Sequence, residues 1–298
     1  MQRVNSHCQY LVQLICAQRY TTLWLNISTS STLFCASYIS GFKRLVLYIA
    51  SPIQSEPIVS GVLSNCVALQ HLRIPFEILL RFLLVTDCEV VCQNLETLDI
   101  VSQRVNIDWN GIVCCQRLRE LFPNLRSLHA NLQAAVCGAS LAHFLELVTG
   151  AFYDRCLTLT LEADTRVYTD NVLAQLSQLP VKSFKLVNSE VAQVTMQLYK
   201  LAVFGRSLTC LKLRDWYIVS GASPELTFER VSHLRLSSCN VANVDNFFDY
   251  FKADVLESVE IAGECSFGYS RTLNASAINQ QVFIELLQNR FPLCKLDA

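Results

Sequence analysis

The chain has 298 residues, 52% hydrophobic and 16% charged, with 9 glycines and 14 cysteines, which is the balance of a globular protein and not of a disordered one. Its 24 basic and 25 acidic residues nearly cancel, so composition supplies no general pull toward nucleic acid or anionic membrane. Scarce glycine, with no G-x-G-x-x-G or G-x-x-x-x-G-K-[ST] pattern, argues against the nucleotide-handling enzymes.

The first predicted element lies within residues 1–20. Val4, Cys8, Leu11, Val12 and Ile15 fall on one helical face. Gln9 and Gln13 interrupt the stretch Cys8–Ala17, and no small-x-small cleavage site follows, so a capping helix is expected here in preference to a secretory leader. The longest apolar stretch, Phe76–Val85, contains Glu77 and Arg81 and falls short of the about 20 residues that span a bilayer, so a soluble protein is expected. Two sequons, Asn26-Ile27-Ser28 and Asn274-Ala275-Ser276, are weak points in favour of secretion.

From residue 21 to 298 one unit recurs, apolar-x-x-apolar-x-apolar. Its clearest copies are Leu69–Ile74, Leu95–Ile100, Leu208–Leu213, Val231–Leu236 and Leu256–Ile261. Leu125–Ala130, Cys156–Leu161, Val181–Leu186 and Phe42–Leu47 follow the same template, Thr22–Ile27 follows it degenerately, and Leu293–Ala298 closes the series. Taking Leu25, Leu45, Leu72, Leu98, Leu128, Leu159, Phe184, Leu211, Leu234, Val259 and Leu296 as the middle apolar residues gives spacings in or near the range of about 20–29 residues typical of leucine-rich repeats, apart from the ends. The segments between carry helical periodicity: Leu141, Phe144, Leu145, Val148 and Phe152 behind Ser140, and Val244, Phe247, Phe248 and Phe251 behind Asn243. Thr169 and Asp170 are N-cap candidates for a helix over Val172–Leu179 that Pro180 stops. A strand or helix of this kind cannot bury its apolar face alone, so the repeats must stack. The expected fold is a single right-handed α/β solenoid of ten or eleven repeats, a horseshoe with parallel strands on the concave face and helices on the convex face.

These residues resemble the cysteine-containing leucine-rich repeats of F-box proteins. Cys66-Val-Ala-Leu69 and Cys92-Gln-Asn-Leu95 match the position where a Cys ends a helix before the next strand, and Leu234-Arg-Leu236-Ser-Ser-Cys239-Asn240 matches the position after it. Phe122-Pro-Asn-Leu125 is similar to a strand start common in such proteins. Arg3–Val12 with Ala17–Ile27 is similar to the last F-box helix and the Leu-Trp segment that follows it, while the first part of an F-box is missing. Residues 1–20 are therefore either an F-box remnant or a plain cap. The resemblance implies a substrate-recognition subunit of an SCF-type ubiquitin ligase, with a cullin-ligase adaptor as a further partner if the F-box functions. The alternatives are an inhibitor-like or regulatory binder without a ligase, and a secreted receptor-type repeat domain.

Cys66 and Cys92 occupy equivalent positions of successive repeats, and neither terminus shows a cysteine cluster, so reduced thiols and a cytoplasmic or nuclear location are expected. Cys88-x-x-x-Cys92 and Cys114-Cys115 lack the second pair or nearby His of a zinc site. His7, His71, His129, His143 and His233 are scattered and match no catalytic motif. No catalysis, metal or cofactor is expected.

What remains is a binding face. In each strand, period two sends the third and fifth positions of the template outward. The outward ladder reads Trp24 and Asn26, Arg44 and Val46, His71 and Arg73, Thr97 and Asp99, Ser127 and His129, Thr158 and Thr160, Ser183 and Lys185, Cys210 and Lys212, His233 and Arg235, Ser258 and Glu260. Lys185, Lys212 and Arg235 fill three consecutive fifth positions, a row that is unfavourable unless solvated or matched by negative charge. The candidate partner-binding residues are Arg44, His71, Arg73, Asp99, His129, Lys185, Lys212, His233 and Arg235, and the expected partner is a protein or peptide, acidic or phosphorylated. Trp24 is either an exposed anchor or part of the packing under the cap.

Overall fold

In the computed structural model the described residues are 22–27, 41–49, 56–84, 90–101, 111–132, 143–148, 150, 158–190, 194–221, 224–270, 273 and 277–297. Internal contacts divide the chain into two compact units, Met1–Leu157 and Thr158–Ala298. Both are parallel-strand α/β repeat stacks of the leucine-rich-repeat solenoid class.

In the first unit, strands β1 (Thr22–Ile27), β2 (Arg44–Ile49), β3 (His71–Pro75), β4 (Thr97–Val101) and β5 (Ser127–Asn131) pair in chain order, all parallel. Helices α1 (Glu56–Asn65), α2 (Phe76–Leu84) and α3 (Gly111–Leu121) fill the connections, with a further helical stretch over 143–148. The core is one column of template side chains: Leu45, Leu47, Leu72, Ile74, Leu98, Ile100, Leu128 and Ala130 are all at least 98% buried. Phe76 at the start of α2 meets Phe144 edge-on at 6.0 Å between ring centres. The two charges that interrupt the apolar run of α2 satisfy each other one turn apart, Arg81 Nη2 donating to Glu77 Oε1 at 2.9 Å.

Cys66, Cys92 and Phe122 hold the position before each strand and are buried. One residue before the first Leu of the repeat template, Asn94 and Asn124 donate Nδ2 to the carbonyls of Val67 and Gln93 at 2.8 and 2.7 Å. Each amide thus bridges back to the loop of the preceding repeat.

In the second unit, β6 (Thr158–Asp164), β7 (Val181–Val187), β9 (Cys210–Arg214), β11 (His233–Ser237), β13 (Ser258–Ala262) and β15 (Lys295–Asp297) form one parallel row. A second parallel set, β8 (Thr195–Gln197), β10 (Tyr217–Val219), β12 (Asn240–Asn243) and β14 (Ser266–Tyr269), pairs in the order β14-β12-β10-β8. The intervening helices α4 (Asp170–Leu176), α5 (Leu198–Leu201) and α6 (Val244–Phe248) are short, and α7 (Gln280–Arg290) is the longest of this unit. The caps read from sequence are in place: Thr169 Oγ1 accepts from Val172 N–H at 3.4 Å, and Asn243 Oδ1 accepts from Asn246 N–H at 2.9 Å. Helix α4 ends at Leu176, short of the expected Leu179. Between the main-row strands, where only helices were expected, the chain also forms this second strand set, its Met196, Ile218, Val241 and Phe267 all buried.

Asp215, Ser238 and Gly263, each just past a strand of the main row, have φ of 62°, 50° and 69°. This left-handed residue redirects the chain from the main row into the second set. The next turn carries a ladder of side chains. Trp216 Nε1 donates to Leu186 O at 3.1 Å, Cys239 Sγ to Leu213 O at 3.4 Å, and Cys265 Sγ to Leu236 O at 3.9 Å. The three acceptors are register partners in β7, β9 and β11, so each side chain reaches back one repeat to an equivalent carbonyl. The expected Cys after the strand is therefore one rung of this ladder, with Trp216 filling the same role.

Two strands sit two residues out of the register expected for them. Leu23, not Leu25, pairs with Leu45, and Leu161, not Leu159, pairs with Phe184, past a register shift at Leu159/Thr160. A slip of one residue would have turned the polar positions of these strands toward the core, but a slip of two leaves the in-out alternation intact, so only the pairing itself reveals it. Val46 is a second correction: placed outward by its position, it is fully buried. Its short side chain does not extend as Arg73 does on the adjoining strand.

The eight described cysteines are free thiols. Burial pushes the Cys66 thiol up to about 12 and those of Cys114 and Cys239 to about 11. No helix among the described residues is long and apolar enough to cross a membrane.

Candidate partner-binding face

Among the described side chains, the ladder residues other than Val46 stand on one face of each strand row, because alternation leaves the third and fifth positions on the side opposite the core. They belong to two separate units. In the first, Arg44 and His71 are register partners in the third-position row, and both are exposed. Arg73, Asp99 and His129 are successive partners in the fifth-position row. Asp99 joins them: Arg73 Nη1 lies 3.5 Å from Oδ2, and His129 Nδ1 lies 3.5 Å from Oδ1. The Asp99 carboxylate is mostly shielded between its two neighbours and offsets the charge of Arg73. Residues 1–21, and with them the cap or F-box remnant, lie outside the described residues, as do the side chains of Trp24 and Asn26, both sequon serines and Cys88.

In the second unit the fifth-position row is longer than the sequence suggested. Register pairs run Glu162, Lys185, Lys212, Arg235, Glu260 and Asp297 across six strands. Glu162 was missed because β6 was read two residues early. The basic trio is therefore flanked by acids on both sides. Lys185 Nζ lies 3.2 Å from Glu162 Oε1, and Arg235 Nη1 lies 3.2 Å from Glu260 Oε1. Lys212, in the middle, has no carboxylate within 4 Å among the described residues. His233 stands apart in the third-position row, exposed, with Nδ1 2.7 Å from Ser232 Oγ.

An open depression of about 390 Å³ is centred on this row. Lys185, Lys212, Arg214 and Arg235 line it together with Ser238 and Gly263. Arg214 and Ser237 come from the seventh position of the repeat, one step beyond the template used to read the ladder, and extending that template by one residue would have found both. Arg214 is held by Asp215 at 3.1 Å, and Arg235 Nε donates to Ser237 Oγ at 3.3 Å. Gly263 has the smallest side chain at the rim, and a methyl there would lie 2.6 Å from Ser238 Oγ.

These ion pairs are half-exposed, and pairs of that kind contribute about 0–1 kcal/mol each, so a ligand anion can displace or share them cheaply. The arrangement is suited to holding an anion. Among the described residues no group of three or more His, Cys, Asp or Glu side chains is placed to hold a metal ion. No protein-family model matches the chain, and no curated protein matches it.

Proposed function

We propose that this chain is a protein-interaction scaffold that captures an anionic segment of a partner protein on the polar strand face of its second unit. One observation carries the reading: the strand register sets Lys185, Lys212 and Arg235 side by side over an open depression, with Lys212 unmatched by any described acid. Binding, not catalysis, is what such a row can do. Charge reversal at Lys185, Lys212 and Arg235 together tests it. The expected result is loss of the partners recovered by the native chain, with an unchanged melting profile. Equal recovery of the same partners by the variant overturns the reading.

The resemblance of Cys66, Cys92, Phe122 and Cys239 to F-box repeat proteins supports a finer reading, that the captured partner is a ubiquitin-ligase substrate in the cytoplasm or nucleus. Free, buried thiols fit such a reducing compartment. Co-purification of this chain with a cullin-ligase adaptor is the expected outcome. Absence of adaptor and cullin from complexes that still contain the partner overturns the ligase reading and leaves the scaffold reading standing.

A further inference from the structure

Across the second unit the fifth-position row reads acid, base, base, base, acid, acid, from Glu162 through Lys212 to Asp297. The basic centre is short and is closed at both ends. A uniformly acidic segment laid along the row would meet Lys212 favourably but would face Glu162 on one side and Glu260 with Asp297 on the other. Like charges set opposite one another in this way are destabilising. The complementary ligand has one concentrated negative charge at its middle and positive charge on both flanks.

We infer, on the footing of the binding reading above, that the ligand is a phosphorylated peptide segment in which a single phosphoryl group is bracketed by basic residues. A phosphoryl group carries about −1.5 to −2 charge and three acceptor oxygens, so it can engage Lys212 and both arginines of the depression at once. A carboxylate, with one charge and two oxygens, brings less charge to the same three groups. The depression holds four cations, Lys185, Lys212, Arg214 and Arg235, against the three acids that pair with them, Glu162, Asp215 and Glu260. The excess is one positive charge, less than a phosphoryl dianion brings. Basic groups on the ligand supply the remainder and meet the flanking acids.

Geometry sets where those basic residues belong. Neighbouring parallel strands are about 4.8 Å apart, so Glu162 and Glu260, each two strands from Lys212, lie roughly 10 Å to either side of it. An extended peptide advances about 3.3 Å per residue, so a segment lying along the row meets the two acids about three residues before and after its phosphorylated position.

The test uses fluorescent nonapeptides titrated into the full chain and read by anisotropy. One carries a central phosphoserine with Lys at −3 and +3, one has Glu at those flanks, one is the Lys-flanked peptide with plain serine, and one is an unphosphorylated polyglutamate. The Lys-flanked phosphopeptide is expected to bind at least tenfold more tightly than the other three. Lys212→Met should remove most of the preference for phosphoserine over serine. Glu162→Gln combined with Glu260→Gln should bring the Lys-flanked and Glu-flanked phosphopeptides within about twofold of each other. Circular dichroism of the variants checks the fold, and inorganic phosphate as competitor reports on the phosphoryl contact alone. Polyglutamate binding as tightly as the Lys-flanked phosphopeptide overturns this inference but supports capture of an anionic segment. Binding of none of the four overturns both.

Discussion

Replacing Trp216 with phenylalanine should lower the stability of the second unit by about 2 kcal/mol. The indole is fully buried and donates Nε1–H to Leu186 O at 3.1 Å. Phenylalanine keeps most of the ring but leaves a void of roughly 40 Å³, which at about 24 cal/mol per Å³ costs about 1 kcal/mol. The lost hydrogen bond adds about 1 kcal/mol, with no orphan donor left behind because the N–H is removed along with the ring. The ring also packs on Tyr168 at 5.3 Å between centres, and Tyr168 is held on both sides of its hydroxyl by Gln197, so the surroundings have little freedom to collapse into the void. At about 2–4 °C per kcal/mol, the melting midpoint should fall by roughly 4–8 °C. Calorimetry measures the total, and hydrogen–deuterium exchange locates it: amides of β7, β9 and β10 should exchange faster, while those of β3 to β5 should not. A loss below about 0.5 kcal/mol, or equal acceleration in both units, refutes the argument that this side chain ties one repeat to the next.

Further outcomes follow from other parts of the structure. Gly205→Ala should cost about 3 kcal/mol, because the added methyl would land 2.1 Å from the immobile carbonyl oxygen of Thr227. Gly263→Ala should cost nearer 1 kcal/mol, from its φ of 69°, since Ser238 Oγ can rotate away; equal losses in chemical denaturation would count against both assignments. Asn94→Ala and Asn124→Ala should each cost about 0.5–1 kcal/mol in chemical denaturation, and because Asn124 bonds the carbonyl of Gln93 next to Asn94, the double variant should show coupling; strictly additive losses would contradict this. Alkaline pH should destabilise the fold through its thiols. Cys66, Cys114 and Cys239 titrate at about 12, 11 and 11 when folded, against an ordinary 9.0, so the unfolded chain releases these protons first. Their stabilisation is complete below pH 9 and declines as pH rises toward 11 and 12, and the triple alanine variant should lose less stability than the native chain between pH ~8 and ~10.5.

The repeat was legible because its signal is local and redundant. Leu72 and Ile74, or Leu234 and Leu236, announce a half-buried strand by alternation alone, and Thr169 and Asn243 announce helix starts by their hydroxyl and amide side chains. The basic trio followed directly, since Lys185, Lys212 and Arg235 are all at the fifth position and their strands are in the expected register. Glu162 was hidden because period-two alternation cannot distinguish Leu159 from Leu161 as the pairing residue, and with it went the recognition that the trio is bounded. The second strand set was hidden for a different reason. Met196, Ile218, Val241 and Phe267 are each the single buried residue of a strand of three or four, too short for any periodicity to show. The two carbonyl-capping ladders were half visible: Asn94 and Asn124 recur at one offset, but a ladder that mixes Trp216, Cys239 and Cys265 has no common residue type to betray it.

Those ladders also give each unit's stack a direction of growth. In each one the donor belongs to the later repeat and the acceptor to the earlier one: Asn94 to Val67, Asn124 to Gln93, Trp216 to Leu186, Cys239 to Leu213. A chain leaving the ribosome N-terminus first therefore exposes each of these carbonyls before the side chain that caps it has been made. Each repeat bridged in this way is finished by its successor, so a chain halted just after it keeps one unsealed turn at its leading end, while removal of the earlier repeat leaves a donor without its acceptor.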